Sequence, residues 1–154
     1  MIRISVLLQE HAGPTGRVLV LKDSDGGYRF PEGYVRVNES EAAAVERLVT
    51  EQFSVTAEAG RLLLIGHKKP ADGYVEHLYE GNITHNTNTR CDYHCYYAAV
   101  RKWPEALSVP AGSELCWVLA EELGALSFAG DDADFLAKYD PWVNGREIPD
   151  RRML

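Results

Sequence analysis

The clearest structural signal lies in residues 31–55, PEGYVRVNESEAAAVERLVTEQFSV, which join a glycine turn to an amphipathic helix. Asn38 is a favourable N-cap, and Glu41 stands three residues further on, where its side chain can complete a capping box. The helical spacing i, i+3, i+4, i+7 is kept by Val45, Leu48, Val49 and Gln52. We therefore predict a helix that begins near Glu39 and turns one face toward a core.

The segments on either side of this helix have the lengths and apolar patterns of strands. The N-terminal pattern predicts strands over residues 1–9 and 17–22, joined as a hairpin by the turn at residues 13–16. Further strands are predicted over residues 28–30, 57–66, 74–79, 93–100 and 114–118, and helices over residues 120–126 and 131–139. Asp131 or Asp132 would cap the last helix. This order predicts an α/β protein, an α/β/α sandwich around a mixed β-sheet.

Composition indicates one domain spanning residues 1–154. With 154 residues, of which 45% are hydrophobic and 25% charged, the chain is long enough to bury a single core. Residues 141–154 are predicted to be a C-terminal tail that packs on the domain or on a second subunit, so a homodimer is one alternative. The net charge of -7, with no compensating cluster of lysines and arginines, argues against binding to a nucleic-acid backbone.

Two further observations bear on location. No apolar run approaches the roughly 20 residues of a membrane span, and the N-terminus lacks the pattern of a signal peptide. The three cysteines, Cys91, Cys95 and Cys116, are an odd number, which favours free thiols in a reducing compartment. We therefore predict a cytoplasmic protein that is not bound to a membrane.

The helical stretch resembles the Nudix box, whose pattern is G-x5-E-x7-R-E-U-x-E-E-x-G-U, where U is an aliphatic residue. The positions that match are Gly33, Glu39, Arg47, Val49, Glu51 and Val55. Three positions depart from the pattern: Leu48 replaces the glutamate after the arginine, Gln52 replaces the second glutamate of the pair, and Ser54 replaces the glycine. The box is therefore degenerate.

The resemblance implies a hydrolase that cleaves a diphosphate linkage in a nucleoside-diphosphate-X or a related phosphorylated small molecule. It implies Mg2+, with Mn2+ as an alternative, as the cofactor. It assigns Glu51 to metal binding and catalysis, and Glu39 and Arg47 to an ion pair that braces the loop against the helix. The backbone carbonyl of residue 32 can also touch metal in the family, and the Glu32 side chain is a candidate substitute acid.

The departures from the box weaken the metal site. Acids at positions 48, 51 and 52 share one helix face in the family, and here only Glu51 remains. If each lost ligand removes about 1.5–3 kcal/mol, metal affinity falls by orders of magnitude. The alternative hypothesis is a Nudix-fold protein that binds a ligand without the usual reaction, or that performs chemistry with little use of metal.

Several residues outside the box are candidates for ligand contact. The candidates for contact with an anionic, nucleotide-like ligand are Tyr28, Lys68, Arg90 and His85, the last from the polar loop. Lys69 and Tyr74 are candidates for the same kind of contact. His85 or Asp92 could serve as a general base. The run Cys91-x-x-His94-Cys95 superficially resembles a zinc-binding cluster. A strand would place His94 and Cys95 on opposite faces, so we predict packing roles for them.

Overall fold

The computed structural model describes residues 1–11, 15–68 and 91–138. In chain order the strands are β1 (Ile2–Leu8), β2 (Val18–Asp23), β3 (Tyr28–Arg29), β4 (Glu32–Tyr34), β5 (Ala57–Lys68), β6 (Cys91–Val100) and β7 (Ser113–Val118). The helices are α1 (Glu41–Phe53), a 3₁₀ helix (Ala120–Ala125) and α2 (Gly130–Lys138). The strand predicted over residues 74–79 and the tail at residues 141–154 lie outside the described residues.

The strands form two sheets. The larger has the order β4-β1-β6-β5, in which β1 and β6 are parallel and the other pairs antiparallel. The smaller has the order β3-β2-β7 and is antiparallel. The predicted mixed sheet is therefore confirmed.

The predicted hairpin of the first two strands is wrong. Gln9 and Val18 form an isolated bridge, after which β1 and β2 diverge into different sheets. The reason is that both edges of β1 are taken, one by β4 and the other by β6. A strand whose hydrogen-bonding groups are already paired cannot also pair with its neighbour in sequence.

Two apolar cores lie on opposite faces of the strands, so the predicted sandwich is confirmed. In β1, Ile4 and Val6 pack with α1, whereas Leu7 packs with residues of the 3₁₀ helix and α2. The alternation arises because successive strand side chains point to opposite faces. Within the described residues, no helix is long and apolar enough to cross a bilayer.

The start of α1 differs from the prediction. Ser40, not Asn38, is the N-cap: its hydroxyl accepts a hydrogen bond of 3.1 Å from the Ala43 N–H. Asn38 instead has a φ of 64° and lies in the turn before the helix. At the other end Ser54, which stands at the glycine position of the box, takes the left-handed cap conformation with a φ of 57°.

The start of α2 also differs from the prediction. Because the helix begins at Gly130, Asp131 and Asp132 lie in its first turn and neither caps it. Asp132 is buried and accepts hydrogen bonds from the Ser5 hydroxyl, the Tyr93 hydroxyl and the Phe30 N–H. Its carboxylate therefore ties α2 to both sheets.

Candidate functional site

We use the term box corner for β4, the loop at residues 35–40 and the C-terminal half of α1. The structure pairs Glu39 with Arg47 here. The Arg47 Nε lies 2.8 Å from Glu39 Oε2, and its Nη2 donates both to Glu39 Oε1 at 3.0 Å and to the Tyr34 carbonyl at 2.8 Å. Arg47 lowers the pKa of Glu39 to about 2, chiefly through these hydrogen bonds. The pair fixes the loop to the helix.

Glu51 lies one turn further along α1 and also faces arginine. Its Oε1 accepts from Arg47 Nη1 at 2.9 Å and lies 3.5 Å from Arg36 Nη2. The Glu51 side chain is 49% exposed. Because two guanidinium groups approach the same oxygen, the only box acid kept on this helix face is already bound to positive charge.

Glu32 is paired in the same way. Its carboxylate accepts from the guanidinium of Arg3, which also lies 4.9 Å from the centre of the Tyr93 ring. In the described part of the chain, the ion pairs at the box corner join three carboxylates, of Glu32, Glu39 and Glu51, to Arg36 and Arg47 of the corner and to Arg3 of β1. The formal charges of these six described residues cancel, so together they leave no net negative charge to attract a divalent cation.

Gln52 occupies the position of a box acid and makes a contact that an acid could not make. Its Nε2 donates to the backbone carbonyl of Glu32 at 2.9 Å. Its Oε1 is buried and has no hydrogen-bond partner among the residues that the structure describes. A neutral amide N–H therefore covers the carbonyl that the box resemblance assigned to metal.

Leu48 stands at the other box position where the pattern has an acid, and its side chain fills space in the core. Its side chain is buried, with 6% of the residue exposed, and belongs to the core that faces α1. A Cβ built on Gly33 would lie 2.2 Å from Leu48 Cδ2, so only glycine leaves room for this leucine. Apolar contact replaces carboxylate at the point where the helix meets β4.

These residues do not fit a resident magnesium ion. Mg2+ requires near-octahedral oxygen ligation and seldom gives up its waters. Here the retained carboxylates are bound to arginine, the carbonyl of residue 32 is covered by an amide N–H, and the third position is a leucine. In the described part of the chain no three His, Cys, Asp or Glu side chains group as a metal site would need.

Of the predicted ligand-contact residues, the structure describes Tyr28 in full and only the backbone of Lys68. Tyr28 packs against Phe128, at a ring-centre distance of 6.2 Å, in the core on the opposite side from α1. The backbone of Lys68 ends β5 opposite Cys91, and its side chain lies outside the described part. The candidates Arg90, His85, Lys69 and Tyr74 also lie outside the described residues.

His94 and Cys95 lie on opposite faces of β6. His94 Nδ1 contacts the carboxylate of Glu41, which also accepts from the Tyr96 hydroxyl at 2.7 Å. Glu41 therefore holds the start of α1 against β6 and does not complete a capping box at Asn38. Cys95 is fully buried in the other core, and burial raises the pKa of its thiol. Such a thiol is unreactive.

The mixed sheet, the second sheet, the helix after β4 and the box corner together define the Nudix fold, and solved Nudix structures share it. A NUDIX hydrolase from Nitrosomonas europaea aligns with a TM-score of 0.64 and 14% identity over 99% of this chain and 94% of its own. The MutT protein from Methanosarcina mazei Go1 aligns with a TM-score of 0.61 and 18% identity, covering 94% and 95% of the two chains.

A third structure is the NUDIX domain of Shewanella oneidensis NrtR, complexed with ADP ribose. It aligns with a TM-score of 0.56 and 15% identity over 90% of this chain and 84% of that one. No protein-family model and no curated protein sequence matches the chain. Identities at this level establish the fold alone.

Proposed function

We propose that this chain is a Nudix-fold protein that binds a small phosphorylated, nucleotide-like molecule without metal-dependent hydrolysis of it. The observation that carries the proposal is the hydrogen bond from Gln52 Nε2 to the Glu32 carbonyl. The amide donor takes the place of a cation at that oxygen, while Leu48 takes the place of a charged ligand beside it. Both changes keep the shape of the corner and remove its capacity to hold Mg2+.

Arginine can supply the positive charge that a phosphate group requires. Guanidinium groups bind phosphate oxygens directly, often through two parallel hydrogen bonds. Arg36 is suited to this role because its side chain is 63% exposed and its ion pair with Glu51 is long, at 3.5 Å. Arg47 is less suited, since its guanidinium is held by Glu39, Glu51 and the Tyr34 carbonyl.

The class of ligand is supported by a structural neighbour. The NUDIX domain of Shewanella oneidensis NrtR was solved in complex with ADP ribose, which contains a nucleotide and a diphosphate. The same fold can therefore receive such a molecule. We take ADP ribose as the first probe for this chain.

A second candidate function is hydrolysis of a diphosphate linkage by a protein loaded with Mg2+ or Mn2+. It is favoured by the half-exposed position of Glu51 on the helix face where the box places an acid. The arginine partners of Glu51 and the presence of Leu48 and Gln52 at acid positions favour the first candidate, and a direct experiment separates the two.

The experiment measures binding and turnover of ADP ribose in parallel. Calorimetric titrations with EDTA, with Mg2+ and with Mn2+ should give the same affinity, and phosphorus NMR should show no release of AMP. Arg36→Ala should weaken binding about tenfold, as expected for loss of one charge-assisted contact. Arg101→Ala, which removes an exposed arginine bound to Glu58, is the matched control and should bind as the parent does.

Metal-dependent release of AMP that is lost in Glu51→Gln would reject the proposal in favour of the second candidate. A gain-of-site variant tests the same reasoning from the other side. The double substitution of Leu48→Glu and Gln52→Glu should create Mn2+ binding, visible by electron paramagnetic resonance, that the parent lacks. Equal Mn2+ binding by parent and variant would show that these two residues do not decide metal exclusion.

The cytoplasmic location and the alternative of a homodimer stay predictions. A nucleotide-like ligand would be consistent with the former. Sedimentation of the full chain would decide the oligomeric state.

A further inference from the structure

A cavity lies at the C-terminal end of β1, far along this strand from Gly33. Its volume is about 350 Å³, and its lining residues are Glu10, His11, Trp103, Pro104, Glu105, Leu107 and Trp117. Glu10 and His11 follow β1, Trp103 follows β6, and Trp117 lies on β7. Because β1 and β6 are parallel, their C-terminal ends bring these residues to the same edge of the sheet. Glu10 is six residues beyond Ile4, which pairs with Gly33, so Glu10 lies about 20 Å along β1 from the Gly33 turn.

Two indole rings form a right-angled corner in this cavity. The ring centres of Trp103 and Trp117 are 5.1 Å apart, and the ring planes meet at 87°. The Trp103 Nε1 donates to the Glu10 backbone carbonyl at 3.1 Å, which fixes the ring and uses its only polar group. The indole N–H of Trp103 is therefore already used, and what Trp103 offers a ligand is its aromatic ring.

Among the described residues, the carboxylate at this cavity that has no cationic partner is that of Glu105. Neither lysine nor arginine lines the cavity among the described residues, whereas Glu10 and Glu105 both do. The Glu10 carboxylate is neutralised by Arg17, whose guanidinium donates hydrogen bonds of 2.9 and 3.0 Å to it. Glu105 is exposed, and in the described part of the chain no ion pair involves it. An anionic ligand would meet repulsion here, and a cation would meet attraction.

We propose that the cavity is a binding site for a small quaternary ammonium group. Indole faces attract a cation through the ring quadrupole, and bulky alkylated ammonium ions gain most because they are weakly hydrated. The Leu107 and Pro104 side chains suit the methyl groups, and Glu105 supplies the counter-charge at the rim. The site is independent of the box corner, so failure of one proposal leaves the other standing.

Choline is the probe. In a Trp142→Phe background, the remaining tryptophans are Trp103 and Trp117, so fluorescence reports this cavity. Choline should give a saturable change in emission, and 3,3-dimethyl-1-butanol, its neutral isostere, should bind at least about tenfold more weakly. Equal affinity for the two compounds, or no saturable change with choline, would overturn the proposal.

Two variants assign the interaction to the residues named. Trp103→Leu should weaken choline binding about tenfold, and Glu105→Gln about threefold. Glu121→Gln removes an exposed carboxylate on the 3₁₀ helix and is the matched control, which should bind choline as the background does. Glu105 lies on the surface, so its variant tests the proposal even if Trp103→Leu fails to fold. An equal loss in Glu121→Gln would show a general charge effect and contradict the site.

Discussion

At the scale of single residues, Gly33 and Leu48 are in close contact at the box corner. A Cβ at residue 33 would lie 2.2 Å from Leu48 Cδ2, well inside van der Waals distance. Gly33→Ala should therefore destabilise the protein by about 1–3 kcal/mol, as overpacking does in other cores. Urea unfolding measures this change.

Substitution of Leu48 shows whether the loss of stability in Gly33→Ala comes from this contact. In a double-mutant cycle with Leu48→Ala, the two changes should destabilise less than the sum of the single changes, because the clash needs both side chains. Gly124→Ala is the control, since a Cβ there would meet no atom within 4 Å. Strict additivity of the two substitutions would contradict the contact.

The pairing of Glu39 with Arg47 predicts a dependence of stability on pH. The folded-state pKa of Glu39 is about 2, below the ordinary value near 4.3. The pair therefore contributes stability that is present above pH 4.5 and lost as the pH falls toward 2. Glu39→Gln should remove this contribution, so the difference in free energy of unfolding between parent and variant should shrink between pH 5 and pH 2.

Denaturant titrations at several pH values measure that difference, with Glu121→Gln as the matched control for loss of one carboxylate. A difference that stays constant from pH 5 to pH 2 would mean that Glu39 gains nothing from Arg47 in the folded protein.

At the scale of elements, the start of α1 depends on Ser40. Its hydroxyl accepts from the Ala43 N–H, which would otherwise have no partner within the helix. Ser40→Ala should cost about 1 kcal/mol of stability, and Ser40→Asp should retain it because a carboxylate can accept the same bond. Thermal unfolding of the three proteins compares them. Equal stability of all three would rule out Ser40 as the cap.

The same helix shows how far the sequence could predict this region. The spacing of Val45, Leu48 and Val49 correctly indicated a helix with a buried face. The start was predicted two residues early because Asn38 and Ser40 are both good caps, and the left-handed turn at Asn38 decided between them. No rule based on local sequence shows which of two favourable N-cap residues starts the helix.

The partners of the box acids depend on tertiary contacts that sequence spacing cannot supply. Arg3 reaches Glu32 because β1 pairs with β4 in a register that places Arg3 opposite Tyr34 and Ser5 opposite Glu32. Gln52 reaches the Glu32 carbonyl across 20 positions for a similar reason. The degenerate positions could be read from the sequence, but the hydrogen-bond partners of Gln52 and Glu32 could not.

At the scale of the whole molecule, Asp132 joins the parts of the sandwich. It accepts from Ser5 in the larger sheet at 2.8 Å and from the Phe30 N–H after β3 at 3.0 Å, while lying on α2. Asp132→Ala would leave these buried donors unpaired and should cost about 3 kcal/mol. Asp132→Asn should cost less, because the hydroxyl of Ser5 can turn to accept from the amide.

Urea unfolding measures both variants. Glu58→Ala, which removes an exposed ion pair with Arg101, is the control and should change stability by about 0.5 kcal/mol or less. A similar small change in Asp132→Ala would mean that the carboxylate does not connect the layers energetically.

The architecture itself was predictable, whereas the connection of its first two strands was not. Alternating and continuous apolar runs correctly indicated strands buried on both faces and helices outside them. The hairpin prediction failed because a turn at residues 13–16 specifies that the chain reverses, not which strand it then joins. The strands that pair with β1 are β4 and β6, and both are remote from β1 in sequence.

Because Cys95 is buried, the rate at which its thiol reacts can report how often the folded protein opens. Cys95 is sealed in the interior, whereas Cys116 is only half-buried on β7. In a Cys91→Ser background, an aromatic disulfide reagent should label Cys116 in the native protein and reach Cys95 only during rare openings of the sandwich. The rate of the slow second reaction then reports how often the molecule opens, without any denaturant.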